Sequence, residues 1–247
     1  MSERHLLELK GVDKRFGAVH AVNGVSFTAP NARVTGLLGP NGAGKTTTLR
    51  MLYAVMRPDE GSIQVDDVDA VRAPQAAQSR LGVLPDGFGL YPRLTAREHI
   101  RYYGQLHGIA GKALDARAAE LIALLDMQEI ADRRTGGFSH GERTKVAIAR
   151  ALVHDPANVL LDEPTNGLDV MSTRAVRVII RRLRDQGRTV LFSSHVMQEV
   201  SALCDAIVVV AGGRVVANGT PDELRAQSGQ ENLEDAFVTL TGQEVHR

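Results

Sequence analysis

The sequence predicts an α/β fold: a mostly parallel core sheet, an antiparallel β entry subdomain ahead of it, and an inserted all-helical subdomain. Three observations carry that expectation. Apolar runs of strand length recur down the chain and stop at glycine, acid or histidine. A glycine-rich stretch at 39–47 joins one such run, 34–38, to a helical pattern at 47–52. Residues from about 90 to 152 carry helical spacing between strands of the core.

In chain order, residues 6–9 and 25–28 read as short strands, with Arg15-Phe16-Gly17 and Pro30-Asn31 as turn signals between and after them. Phe16 is an aromatic in a polar neighbourhood shortly before the glycine-rich stretch. By spacing alone, core packing is the ordinary fate of such a ring. A flat surface for stacking an adenine base is the alternative.

Gly39, Pro40, Asn41, Gly42, Ala43, Gly44, Lys45, Thr46 and Thr47 fit the phosphate-binding pattern G-x-x-x-x-G-K-S/T. Glycines let the backbone turn tightly enough for successive N–H groups to converge on phosphate oxygens, and the helix start adds partial positive charge. Lys45 supplies a full charge for the β- and γ-phosphates. The Thr46 hydroxyl suits Mg²⁺, which takes hard oxygen ligands. A glycine-rich turn of the dinucleotide-binding kind has no Lys-Thr pair.

Residues 61–66 read as a strand after the turn Pro58-Asp59-Glu60-Gly61, and 80–86 as an apolar strand that ends in the carboxylate of Asp86. Thr95-Ala96-Arg97-Glu98 is a capping box, followed by Ile100, Tyr103 and Leu106 at helical spacing. Leu114, Ala118, Leu121, Ile122 and Leu125 mark a second helix. Ser139 and Glu142 form another capping box, ahead of a helix at 143–152, and local physics accounts for both residues. The same helix start, with a serine hydroxyl and a close-approach glycine at Gly141, also suits a second anion site.

The run 159–169 delivers two adjacent acids at a strand's C-terminal end. In a chain with a phosphate loop, that position sets carboxylates beside a triphosphate, Asp162 on the Mg²⁺ side and Glu163 as the general base for the attacking water. A plain solvated Asp-Glu-Pro turn is the alternative. The next helix buries Val176, Ile179, Ile180 and Leu183, and sets Arg174, Arg177, Arg181, Arg184 and Arg188 opposite. Without interleaved aromatics, that row reads as a solvated outer face sooner than as a grip on nucleic acid or lipid headgroups. Residues 188–192 form another buried strand, which ends at Ser193-Ser194-His195, and a histidine there lies where α/β folds collect ligands. Two strands, 206–210 and 214–217, flank a Gly212-Gly213 hairpin turn, and a helix starts at Pro221. Leu233, Phe237 and Leu240 suit a last helix that packs back on the body.

The 247 residues suffice for one large domain with an insert, and no internal repeat or low-complexity segment interrupts them. Acids and bases number 29 each, so the bias of a general nucleic-acid binder is missing. The single cysteine, Cys204, forms no internal disulfide, and residues 1–5 show no apolar secretory core, from which a cytoplasmic location is expected. The apolar runs fall far short of the ~20 residues that cross a bilayer, so membrane work is assigned to a partner.

These motifs, in this order, resemble the ATP-binding subunit of an ATP-binding cassette (ABC) transporter over nearly the whole chain. GPNGAGKTT at 39–47 resembles the family's first phosphate-binding motif, VLLDEP at 159–164 its second, NGLD at 166–169 its D-loop, and SSH at 193–195 its switch-histidine segment. The resemblance implies a P-loop ABC ATPase fold, with an ATPase domain over 1–230, its helical subdomain at about 90–152, and a short helical tail at 231–247. It implies ATP and Mg²⁺, with Asp162 at the metal, Glu163 catalytic, His195 on the γ-phosphate, Phe16 against adenine and Asp169 in the D-loop. Ser139 and Gly141 match the signature motif, which in the family caps the γ-phosphate bound by another subunit. A head-to-tail dimer follows, with a second copy or a paralogous ATPase subunit, driving integral-membrane permease subunits from the inner face of the cell membrane. Nucleic acid is not an expected partner.

Two departures stand out. The signature reads FSHGE where LSGGQ is usual, so His140 and Glu142 replace a glycine and a glutamine; altered strength or pH sensitivity of dimer closure is expected. Asp86 stands where the family has a glutamine, and its shorter anionic side chain suits a metal contact only through water. The stretches 84–99 and 232–242, with no large C-terminal regulatory domain, are most similar to exporters of the sodium-efflux and drug-efflux group. The rival readings are a soluble ABC ATPase acting on nucleic acid or ribosomes, which the arginine row alone supports, and a regulatory module without turnover, against which Glu163 and His195 both speak.

Overall fold

The computed structural model describes residues 6–87 and 89–242. Phe88, inside the stretch compared with exporters, and the N-terminal residues 1–5 lie outside the described residues, as do 243–247 of the tail. In order, the elements are β1 (Leu7–Phe16), β2 (Val19–Ala29), β3 (Val34–Leu38), α1 (Lys45–Leu52), β4 (Glu60–Val65), β5 (Val68–Asp69), α2 (Pro74–Gln78) and β6 (Leu81–Leu84). Then come α3 (Ala96–Leu106), α4 (Gly111–Leu124), a short 3₁₀ turn at Thr135–Gly137, α5 (His140–Leu152), β7 (Asn158–Leu161), α6 (Val170–Asp185) and β8 (Thr189–Ser194). The chain closes with α7 (Met197–Leu203), β9 (Ala206–Ala211), β10 (Arg214–Gly219), α8 (Pro221–Ser228) and α9 (Leu233–Thr241).

The core sheet runs β10-β9-β3-β8-β7-β6, parallel throughout except for β10, which returns antiparallel to β9 at one edge. Its five parallel strands are buried on both faces, and for that reason they read as apolar runs, whereas the edge strand β10 is largely exposed. Alternate residues feed two separate cores. Leu37, Leu160, Leu191 and Val208 face the entry sheet β2-β1-β4-β5 and α1. Leu38, Leu161, Phe192 and Val209 face the helices. Ile100 of α3, Leu121 of α4 and Val146 of α5 belong to that second core, so the helices between β6 and β7 share it with the sheet.

Where the structure departs from the expectation, tertiary context explains it. β1 and β2 run on to Phe16 and back to Val19, past the segments expected as short strands and through Arg15 and Phe16, expected as a turn. Their register shifts between Leu9 and Val12, and again around Lys14. Such bulges break the two-residue period on which a strand is recognised, and the far half of the ribbon is largely exposed. The arginine row keeps Arg174 and Arg181 exposed, as a solvated face would, yet part of it is tied into the fold. Arg181 donates to the Ala202 carbonyl, Arg184 lies 3.7 Å from Asp205, and Arg188, beyond the end of α6, pairs with Asp155.

One histidine outside the cleft carries a pH dependence. His154 stacks on His107, ring centroids 3.9 Å apart, and its Nε2 lies 3.1 Å from the Leu81 carbonyl. Burial, with the neighbouring His107 second, lowers the His154 pKa to about 4. An unfolded histidine titrates near 6.5, so the unfolded chain takes up the proton first as pH falls. Stability from neutral His154 is therefore fully present above about pH 6.5 and is lost as pH drops towards about 4. Urea midpoints should decline more steeply across that window in the wild type than in His154→Phe, and equal slopes would remove His154 as the cause.

Candidate nucleotide site

The C-terminal ends of β3, β6, β7 and β8 lie along one edge of the core sheet, because those four strands run parallel. β3 ends in the phosphate loop, β6 is followed by Asp86, β7 by Asp162 and Glu163, and β8 by His195. Stretches more than a hundred residues apart thereby meet in one cleft of about 380 Å³.

The loop is shaped by close approaches. Gly44 caps the start of α1 at φ 99°, and a Cβ there would sit 2.4 Å from the Ala21 carbonyl oxygen. A Cβ on Gly39 would sit 2.3 Å from the carbonyl oxygen of Val210. Only glycine fits either place. α1 begins at Lys45, two residues earlier than expected, so the N–H groups of Lys45, Thr46 and Thr47 belong to its open N-terminus.

Asn41, Gly42, Gly44, Lys45, Thr46 and Thr47 line the cleft, with Asp86, Glu163 and His195 opposite. Lys45 is only 6% exposed, donates to the carbonyls of Gly39 at 2.8 Å and Pro40 at 3.2 Å, and lies 3.2 Å from Glu163 Oε1. The other carboxylate oxygen of Glu163 lies 2.9 Å from His195 Nδ1. Glu163 also adopts φ 48°, a region sparsely used by residues with side chains and costing about 1–3 kcal/mol unless neighbours hold it. Ser193 is one such neighbour: its hydroxyl accepts from the Glu163 N–H at 2.8 Å and donates to Asp162 Oδ1 at 2.6 Å.

Asp162 is 2% exposed and its N–H donates to the Leu84 carbonyl. Its Oδ1 also accepts from the Thr46 hydroxyl at 3.3 Å, while its Oδ2 is buried with no hydrogen-bond partner. Burial raises the Asp162 pKa; hydrogen bonds from Ser193 and Thr46 oppose the rise, and the charges of Asp86 and Glu163 add to it. Among the described residues no group of three His, Cys, Asp or Glu side chains forms a metal cage.

The remaining expected site residues lie outside the lining of the cleft. Gly39, Pro40 and Ala43 shape the loop from behind. Phe16 is 46% exposed with Lys14 over its ring, so it fills no core. Ser139 caps α5 in the expected box with Glu142, and Gly141 packs so tightly on α6 that a Cβ would meet Ser172 Oγ at 2.4 Å. Asp169 caps α6 through Met171, Ser172 and the Ser172 hydroxyl, and those hydrogen bonds lower its pKa. Sequence reasoning missed Ala21, Asn166 and Ser193. Asn166 and Ser193 stood inside motifs already singled out, whereas nothing local marks Ala21, which reaches the cleft only through the curl of β2 beneath Gly44.

A parallel-sheet edge that sets a phosphate loop against a buried aspartate and a glutamate–histidine pair defines a P-loop nucleotide triphosphatase. The family model described as ABC transporter matches residues 22–166. The ABC transporter ATP-binding protein NatA of Bacillus subtilis is 45% identical over 222 residues, 90% of each chain. The Nod factor export ATP-binding protein I of Burkholderia lata is 38% identical, over 88% of this chain and 72% of that one. A solved ATP-binding subunit of an ABC transporter superposes with a TM-score of 0.86 at 28% identity, covering 96% of this chain and 99% of the other. The chain belongs to the ABC transporter family, as an ATP-binding subunit and an ATPase. No helix among the described residues is long and apolar enough to cross a membrane.

Proposed function

We propose that the chain is the ATP-hydrolysing motor of an exporter, acting as a head-to-tail pair in which each chain completes the other's site. The observation that carries the pairing is the position of Ser139 and Gly141. Both stand at the N-terminus of α5, which the box of Ser139 and Glu142 caps, outside the lining of the chain's own cleft. An anion-binding helix start without an anion site of its own suits the γ-phosphate held by a second copy or by a paralogous ATPase subunit. ATP then acts between the chains, and closure reflects its higher affinity for the paired state.

Mg²⁺ fits the floor of the cleft by its donor set. The Thr46 hydroxyl and the Asp162 carboxylate are hard oxygens, and the orphaned Oδ2 of Asp162 is a buried acceptor in want of a cation. Asp86 faces the same space and suits a contact through water. Bound there with ATP, the metal offsets phosphate charge. Lys45 exchanges Glu163 for the β- and γ-phosphates. Glu163, released from that cation, takes a proton from the attacking water, with His195 oriented against it and towards the γ-phosphate. Phe16 stacks on adenine, and Asp169 sets the start of α6 beside the partner chain.

Work on a membrane falls to separate integral-membrane permease subunits, with this chain on the cytoplasmic face. A groove of about 530 Å³ between the helical insert and the core, walled by Tyr53, Val83, Pro85 and Tyr103, supports docking next to the segment that carries Asp86. Export as the direction is supported by the Burkholderia relative's role in Nod factor export. Protein purified from its native membrane should bring down a partner with several ~20-residue apolar spans. Recovery of ribosomes or RNA in its place would overturn the transporter reading.

A further inference from the structure

We propose that Glu199, on α7, is a positioning residue for hydrolysis: it ties the loop bearing Glu163 to the loop bearing His195. It lines no part of the cleft and is 5% exposed. Its Oε2 accepts hydrogen bonds from two buried hydroxyls, Thr165 and Ser194. Thr165 lies two residues beyond Glu163. Ser194 directly precedes His195, and its Oγ accepts from the Val196 N–H at 3.0 Å, so one hydroxyl brackets His195 on both sides.

A buried carboxylate is costly unless its partners justify it, and an apolar side chain fills such space without that cost. The cation facing it, Arg177 on the neighbouring α6, stands at 3.9 Å, the outer limit of an ion pair. Its hydrogen bonds run to the two loops that carry the reacting side chains. This matters because Glu163 holds a strained φ of 48°. Such a conformation persists only where surroundings over-determine it. Ser193 secures the residue on its N–H side, and Thr165 through Glu199 secures it on the other. Both anchors return to the end of β8, so the 2.9 Å contact between Glu163 and His195 follows from the clasp.

The inference rests on the reading of Glu163 as the base, and Glu163→Gln is run alongside to keep the two apart. The test measures kcat and KM for ATP on the full chain. Glu199→Leu, which strands both hydroxyls, should lower kcat about 10- to 100-fold, the scale of an ångström-sized misplacement, with KM within about threefold because the lining is untouched. Glu199→Gln keeps an acceptor oxygen between Thr165 and Ser194 and should recover kcat to within about fivefold of wild type. Thr165→Val, which preserves shape and removes one hydroxyl, should lower kcat about tenfold and add little on top of Glu199→Leu. If Glu199→Leu does not fold, Thr165→Val decides by itself. The proposal is overturned if kcat stays within about twofold of wild type in Thr165→Val, or if Glu199→Gln is no better than Glu199→Leu. Unchanged turnover in Glu163→Gln would instead overturn the base assignment.

Discussion

Glu163→Gln should lower ATP turnover by about 10²- to 10⁴-fold, the range of a positioned general base. The substitution keeps shape and retains hydrogen-bonding reach to His195 and Lys45, but an amide takes no proton from water. ATP binding should hold or tighten, since Lys45 no longer has an anion 3.2 Å away competing with phosphate for its charge. With hydrolysis blocked and binding intact, the closed pair accumulates, and size-exclusion chromatography should show a dimer with ATP and a monomer with ADP. Turnover near the wild-type rate would remove Glu163 from the chemistry. A monomer at saturating ATP would remove the head-to-tail arrangement.

Lys45→Ala should weaken ATP binding by at least about 30-fold, since loss of one partner from a buried, hydrogen-bonded charge site costs about 2–5 kcal/mol. Without the ammonium, Glu163 stands as an uncompensated anion in a cleft built for phosphate, beside Asp162 and Asp86. The carbonyls of Gly39 and Pro40 lose the donor that braces the loop from inside. Lys45→Arg should fail as well. A planar fork does not reproduce a compact ammonium threaded between two carbonyls and a carboxylate. Calorimetric titration with ATP checks both variants, and an affinity within about threefold of wild type in Lys45→Ala would overturn the assignment.

Much of the site was legible because its parts are local. A glycine-rich turn between a buried strand and a helix, or an acid pair at the end of an apolar run, is written in consecutive residues whose backbone needs are specific. The capping boxes at Thr95 and Ser139 were legible for the same reason, and both form. Phe16 was not legible from spacing, which favoured the core, whereas the ring stands exposed; only the family resemblance pointed it towards adenine. The full length of β1 and β2 was hidden by bulges, which scramble the alternation that marks a strand. Glu199 was invisible as a functional residue because a glutamate in a helix has no local signature, and Ser193, although it stood in the SSH stretch, carried no sign of its contacts with Asp162 and Glu163. Their roles come from partners about thirty residues away in the chain.

By itself the sequence determined the phosphate loop, the acid pair, the histidine and the order of strands and helices that carries them, because periodicity and turn chemistry act over a few residues. Only the tertiary structure decided that β3, β8, β7 and β6 lie side by side in parallel, which brings Lys45 to Glu163 and Glu163 to His195. It also decided the burial of Asp162 and the placing of Ser139 and Gly141 outside the chain's own cleft. Strand pairing is a contact between distant segments, and its choice depends on how both faces of the sheet are covered, which no local pattern records.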